Sequence, residues 1–494
     1  MKRPRIIEYT FAPLLVAAFA SGVVEGPSIA QQPVREESLD GRGADLALLE
    51  AAVQEAQALL EKGDQTGTRA ACRRALERAD LESASGPWLA AAANALWQLG
   101  FLAYRTGELR AAHDAWAAVH RHRMATLPDE HPRLQTARGN LAVTKRELGD
   151  LAGALALQEK ILAVLSHALP EDHPDLQSAR QNLALTMRDL GDLPGALALN
   201  EKVFAVRSRT LPEEHPDLQM ARQNLAATMR DLGDLPGALA LFEKVLAVGS
   251  KTLPEDHPDL QSARENLAVA RMDLGDLHGA LAVLDKVLAI RLRTLPDEHR
   301  DVQATRLNLA ATMKGLGDLS GAFALEQKVF EVWSKTLPDE HPELQAAREN
   351  LAITKRDLGD LHGAQSLQAK VLAICTRTLP DYHHDLQAAR LNLAVTMRLL
   401  GDLHGALDLE TKVLAIREKT LPDDHPALLG VRNNIAITKR ELGNVAGALE
   451  LQEKVVSVLA RTRPNDPELP PALLNLAATK RMMGDLQGSI AIEE

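Results

Sequence analysis

From His173 the chain reads HPDLQSARQNLALTMRDLGD, with Leu176, Ala179, Leu183, Met187 and Leu190 at three- and four-residue steps. That spacing is the apolar stripe of an amphipathic helix. Pro174 sits where a first helical position has no N–H to lose, and Asp175 sets a carboxylate at the positive end of the helix dipole. Gly191 can then take the left-handed conformation that ends the helix. After Asp192, a good N-cap, LPGALALNEKVFAVRSRT is apolar on nearly every side until Leu211-Pro212 stops it. A helix of that kind needs cover from its partner and from the next element along.

The pattern recurs. Leu-Pro prolines stand at Pro128, Pro170, Pro212, Pro254, Pro296, Pro338, Pro380 and Pro422, every interval being 42 residues, with a weaker echo at Pro464. Gly149, Gly191, Gly233, Gly275, Gly317, Gly359, Gly401 and Gly443 keep the same step. Two antiparallel helices with a tight Gly-Asp turn and a proline-stopped connector make a unit that cannot bury its own faces, whereas stacked units can. The fold class predicted is all-α, an α-solenoid. Residues 128–463 hold eight such units, 44–127 read as two diverged helix pairs, and 464–494 are an incomplete ninth unit. Trp88, Trp97 and Trp116 lie in the diverged pairs, as expected where a terminal repeat seals an exposed end.

Composition narrows this further. Aromatic residues make up only 3% of 494, which suits closely packed helices better than a β-sandwich. The net charge is -11 and no Lys/Arg run offers a basic surface, so nucleic acid is not the expected partner. Cys72 and Cys375 are far apart within helical patterns and read as small buried thiols, not as a zinc or redox pair. Residues 1–30 differ from the rest: Lys2, Arg3 and Arg5, then FAPLLVAAFASGVV, then small residues before Gln31. This order reads as a secretory signal peptide cut near Ala30, followed by a linker over 31–43, and the apolar run is short for a membrane span. The chain is then exported, periplasmic or secreted, with no stable membrane span left after cleavage. Without such a signal it would be cytoplasmic.

The repeated unit resembles the tetratricopeptide repeat, specifically the 42-residue kinesin-light-chain type. The marks that carry the resemblance are His173-Pro174, Asn182-Leu183-Ala184, Gly191 and Ala196, which recur in register over about four fifths of the chain. It implies a right-handed superhelix whose first helices line a concave groove, and a role as a protein-interaction scaffold. The chain departs from the pattern at two positions. Where the family often has Leu two residues before the Asn, it has Arg138, Arg180, Arg222, Arg264, Arg306, Arg348, Arg390 and Arg432. Where the family often has Tyr, five residues after the Asn, it has Lys, Met or Arg, as at Lys145, Met187 and Arg271. Both positions lie near the apolar face, so their stems are expected to pack while their charged ends reach outward.

The joint LPEDHPDL gathers Glu171, Asp172 and His173, three side chains that can ligate metals. Helix axes approach no closer than about 8–10 Å, and zinc holds its ligand nitrogens at about 2.0–2.1 Å. One His per unit therefore cannot share an ion with its neighbours, and only His383-His384 adds a second imidazole, so no metal site is expected. Asparagine is more informative. Asn140, Asn182, Asn224, Asn266, Asn308, Asn350, Asn392, Asn434 and Asn475 share a side with the residue three later, Val143, Leu185, Ala227 and Val269 among them. They roughly share it with Arg146, Arg188, Arg230, Lys314, Arg356, Arg398 and Arg440, six later. By the family resemblance this side is the groove, where the Asn amide bonds the backbone of an extended peptide. An amide supplies donor and acceptor together, and a guanidinium can hold a ligand carboxylate.

Second-helix lysines, Lys160 and Lys202 among them, read as a solvated charged edge. Phe323, Phe330 and Trp333 mark one unit as variant, either in its packing or in its specificity. There is no glycine-rich phosphate loop, nucleophile elbow or Cys/His constellation, so neither catalysis nor a cofactor is expected. The last unit stops at Glu494, which aligns with Glu201 in mid-helix, and no polar capping helix follows. The alternative function is therefore a sensor arm of a larger protein whose effector, such as a caspase-like protease domain of the CHAT type, lies beyond this chain. The partner's identity and the oligomeric state stay open.

Overall fold

A computed structural model describes residues 43–81, 84, 86–463 and 468–493. The signal peptide expected at 1–30 and the linker up to residue 42 lie outside the described residues. Among those described there are 22 helices and no strand. α1 (Gly43–Glu61), α2 (Gln65–Ala79), α3 (Gly86–Arg105) and α4 (Leu109–Thr126) are the diverged pairs. The repeats begin with α5 (Pro132–Glu147) and α6 (Leu151–Ala168), then α7 (Pro174–Asp189) and α8 (Leu193–Thr210), and the same 16- and 18-residue helices continue to Thr462. Leu469–Met482 and Leu486–Glu493 follow. The chain is an α-solenoid of consecutive antiparallel pairs. It divides into two compact units, Met1–Leu325 with Thr336–Pro338, and Glu326–Lys335 with Asp339–Glu494.

Each repeat is punctuated by side chains that satisfy its own helix ends. His173 is the N-cap of α7, its Nδ1 accepting from the Asp175 N–H at 3.2 Å, with Pro174 in the first helical position. Because Nδ1 accepts, the imidazole proton is on Nε2. At the other end Gly191 has φ 84°, the Asp192 N–H reaches the Met187 carbonyl at 2.9 Å, and the Gly191 N–H reaches Arg188 at 3.0 Å. This is a glycine-terminated cap satisfying carbonyls that the helix leaves open. Asp192 then caps α8 by accepting from the Gly195 N–H at 3.0 Å. Eight histidines, from His131 to His425, cap their helices in the same way.

In the first unit, α1 packs on α2 and α3, and α3 on α4, around Leu49, Leu96, Leu99, Trp88 and Trp116, none more than 2% exposed. The Trp116 ring lies 6.3 Å from that of Trp97 and 5.7 Å from that of Tyr104. Gly100 runs beneath the indole with no room for a Cβ. Within the repeats, each first helix carries a fully buried Ala two residues after its Asn, and each second helix one three residues after its Leu or Val start. Ala226 with Ala238, and Ala268 with Ala280, meet this way. Side chains this small let the helices of a pair close at the turn.

Between repeats runs a buried polar seam. A second-helix residue meets the first-helix residue 28 positions on: Asn200 Nδ2 donates to Thr228 Oγ1 at 2.9 Å in the first unit, and Thr396 Oγ1 donates to Gln368 Oε1 at 2.6 Å in the second. One step of the seam is apolar on both sides, Phe242 against Ala270. The variant residues of the Leu319–Thr336 helix also have packing roles: Trp333 is 2% exposed, and Phe330 lies under the Arg348 guanidinium, 5.8 Å from centroid to Cζ.

Candidate functional site

The joint comes first, because the ladder of arginines closes onto it. Arg180 reaches back nine residues to Glu171, with Nη2 2.7 Å from Oε2. The same pair recurs as Arg138–Asp129, Arg222–Glu213, Arg264–Glu255, Arg306–Asp297, Arg348–Asp339, Arg390–Asp381 and Arg432–Asp423. Gln177 lies on the same helical face and donates to the Glu171 carbonyl. These arginines are 1–8% exposed. Their stems do pack, but their charged ends do not reach outward as expected, since each is covered and neutralised by the joint's first acidic residue. Lys202 approaches the same carboxylate at 3.4 Å, and Lys286 approaches Glu255 at 2.9 Å. Hydrogen bonds from Arg264 and then Lys286 hold the Glu255 carboxyl down at about 2. Sequence reasoning missed this three-member cluster; the available signal was an acid in fixed register, nine residues before every one of these arginines.

The asparagines occupy one side of the first helices, all of them half-buried, as are Val143, Leu185, Ala227 and Val269. Some of their amides bridge repeats. Asn266 Nδ2 donates to Gln223 Oε1 at 3.4 Å, Asn475 Nδ2 donates to Asn433 Oδ1 at 3.1 Å, and Asn392 faces Glu349. In each case the partner is the residue just before the preceding repeat's Asn. The side-chain amides of Asn140, Asn182, Asn224, Asn308, Asn350 and Asn434 are in no hydrogen bond among the described residues.

The second column is engaged within the chain. Arg146 lies 3.5 Å from Asp189, Arg188 3.3 Å from Asp231, Arg230 3.5 Å from Asp273 and Arg398 3.3 Å from Glu441, each an acid on the next first helix. Arg356 pairs with its neighbour Asp357 at 3.2 Å, and Arg440 donates to the Asn475 carbonyl and Thr479 hydroxyl at 3.4 Å. A ligand carboxylate would have to compete with these acids for the guanidiniums.

Buried ionisable groups lie beneath. Burial pushes the Glu349 carboxyl up to about 7 against a hydrogen bond from Gln368 Nε2 at 3.1 Å, and it does the same to Glu410, neither of whose oxygens has a hydrogen-bond partner. The thiols of Cys72 and Cys375 are pushed to about 12 by burial, which leaves them unreactive. His383, His384 and Asp385 bring three possible ligand atoms within 4.8 Å of one another. The His383 Nδ1, however, already accepts the Asp385 N–H at 3.1 Å, so ligation through that atom would open a helix cap. No helix among the described residues is long and apolar enough to cross a membrane.

Capped helix pairs on a 42-residue step, joined by a buried seam and carrying one polar column, define a helical-repeat solenoid. The tetratricopeptide repeat model matches residues 132–209, 175–251 and 343–419, and a second of the same description matches 260–301, 302–343 and 428–468, together more than half of the chain. The chain belongs to the tetratricopeptide repeat family, whose solenoids typically mediate protein–protein interaction and are generally non-catalytic. Among solved structures it is similar to a Podosopora anserina protein described as a kinesin light chain with nearly identical TPR-like repeats. The identity is 32%, over 42% of this chain and 97% of that one, with a TM-score of 0.37. It is also similar to BtubC (BKLC) from P. vanneervenii, at 20% identity over 46% and 89% of the two chains with a TM-score of 0.36. A third similar structure is a Rap protein complexed with competence and sporulation factor, at 11% identity over 75% and 98% with a TM-score of 0.49. No curated protein matches the chain.

Proposed function

We propose that the asparagine-bearing side of the first helices binds an extended segment of another protein, and that the chain is a scaffold without catalytic activity. The observation that carries this reading is the set of six half-buried amides at the same repeat position, Asn140, Asn182, Asn224, Asn308, Asn350 and Asn434, that form no hydrogen bond among the described residues. Their amide atoms are open to water, which the N–H and C=O groups of an extended segment can replace bond for bond. Neighbouring helices sit roughly 8–10 Å apart and an extended chain advances about 3.3 Å per residue, so one amide would meet every third backbone position of the ligand. Donor and acceptor on the same side chain suit the N–H and C=O of a backbone and leave sequence largely unread. The arginines, held by Asp189, Asp231, Asp273 and Glu441, keep the first helices in line.

The test is a displayed library of random linear peptides panned on the purified chain, followed by titration of the enriched peptides. Asn140→Ala, Asn182→Ala and Asn224→Ala together should abolish binding while leaving the helical circular-dichroism signal unchanged. Undiminished binding by the triple variant would refute the assignment.

A further inference from the structure

The arginine column is held most loosely at Arg398. Arg146, Arg230 and Arg356 each bond the acid that follows them in the chain, Glu147, Asp231 and Asp357. After Arg398 stands Leu399 instead, 55% exposed. Among the described residues Glu441 is the one carboxylate paired with Arg398, 3.3 Å from Nη1, while the guanidinium Nε is buried with no hydrogen-bond partner. This pair links the His384–Leu399 helix to the Pro426–Glu441 helix of the next repeat.

Close by lies Glu410, at the seam position of the Leu403–Thr420 helix that Asn200 and Gln368 occupy in other repeats. It is 0% exposed, and neither carboxyl oxygen has a hydrogen-bond partner. Thr438, which stands 28 positions on, gives its hydroxyl proton to the Asn434 carbonyl at 3.2 Å. The charged groups acting on Glu410 from the helices on either side are Arg398, which favours its ionised form, and Glu441, which opposes it. Such a place suits a neutral carboxyl and not a carboxylate, so burial pushes the group up to about 7. Once the proton is gone, the buried charge needs a cation and donors. Arg398 already acts on it, is held by one acid, and has an Nε–H to give.

We propose that Glu410 and Glu441 compete for Arg398, and that loss of the Glu410 proton draws the guanidinium off Glu441 and unties the His383 repeat from the His425 repeat. Below about pH 7 Glu410 is neutral and the tie is made; above it Glu410 is charged and the tie is broken. Arg188 and Arg356 face no such competitor, because the side chains 12 residues after them, Asn200 and Gln368, are amides. The device works in the free chain, whatever the asparagine side binds.

The test is hydrogen exchange of the Pro426–Glu441 helix in the full chain at pH 5.5 and pH 8.5, with rates referred to those of the unfolded chain at each pH. Glu441→Gln removes the tie and leaves the seam alone. In the parent chain it should lower protection about threefold at pH 5.5 and not at all at pH 8.5, where Arg398 has already left. Glu410→Gln puts at the seam the side chain that Gln368 and Gln452 bury in the same place, so the fold is kept. In that background Glu441→Gln should lower protection by the same factor at both pH values. No loss at pH 5.5 in the parent chain, or an equal loss at both pH values, would overturn the proposal. So would a difference between the two pH values that persists after Glu410→Gln.

Discussion

Glu171 and Arg180 stand nine residues apart and meet at 2.7 Å, the guanidinium covered to 4% exposure and the carboxylate half exposed. Removing the carboxylate strands a buried cation, whereas removing the cation leaves a carboxylate that water can reach. Glu171→Ala should therefore cost more than Arg180→Met, which keeps the packed stem. With one partner half exposed, the expected loss is about 1–2 kcal/mol for Glu171→Ala. A long repeat array does not unfold as one step, so the proper readout is hydrogen exchange of the α7 amides. Equal protection in the two variants would contradict this account.

Two classes of carboxyl give stability opposite slopes with pH. Glu255, held at about 2 by Arg264 and Lys286, contributes fully above the ordinary carboxylate range and loses that contribution as pH falls towards 2. Burial raises Glu349 and Glu410 to about 7, so between roughly 4.5 and 7 the unfolded chain ionises them and the folded chain does not. Stability should then decline as pH rises through that window, by an amount on the order of 1–3 kcal/mol per group. The groups facing them are Gln368, Asn392 and Arg356 around Glu349, and Thr438, Arg398 and Glu441 around Glu410. Thermal melts at pH 5 and pH 7.5 should differ by several degrees for the parent chain and much less for Glu349→Gln with Glu410→Gln; parallel shifts would show that these carboxyls are already ionised when folded.

The seam makes a prediction about coupling. Phe242 faces Ala270 at the step where Asn200 pairs with Thr228 and Gln368 with Thr396. Phe242→Gln alone should cost roughly 2–4 kcal/mol, from lost apolar burial and an unmet amide. Adding Ala270→Thr should return about 1 kcal/mol, measurable as the interaction term of a double-mutant cycle in urea. Strict additivity of the two substitutions would mean that the two positions do not communicate.

At the N-terminus, the basic, apolar and small-residue order of residues 1–30 predicts a mature protein starting near Gln31. Mass spectrometry of protein from its native cell gives the answer directly, and intact Met1 would rule out cleavage.

Helix starts and turns were legible because their causes are local: His173-Pro174 and Gly191-Asp192 carry their caps within three residues. The pairing of α7 with α8 followed from the apolar faces. The fate of Arg180 was not legible, because a covered guanidinium and an exposed one have the same place in a helical period. Neither was the link from Asn200 to Thr228, since the recurring Thr of the first helices does not say which helix it faces. For the asparagine column, register showed a shared side. Which amides are taken, as Asn266 is by Gln223, depends on the residue just before the preceding repeat's Asn and needed coordinates.

The joint has a consequence for how such a chain can change in length. Its histidine cap spans two residues, its glutamine–carbonyl bond six and its arginine–acid pair nine, and the seam reaches only into the next repeat. These four kinds of contact link each repeat only to itself or to its neighbour. An in-frame duplication or deletion of 42 residues at a joint therefore restores every kind of contact that it interrupts. Array length, and with it the reach of any bound segment, can vary by whole repeats with no compensating substitution elsewhere.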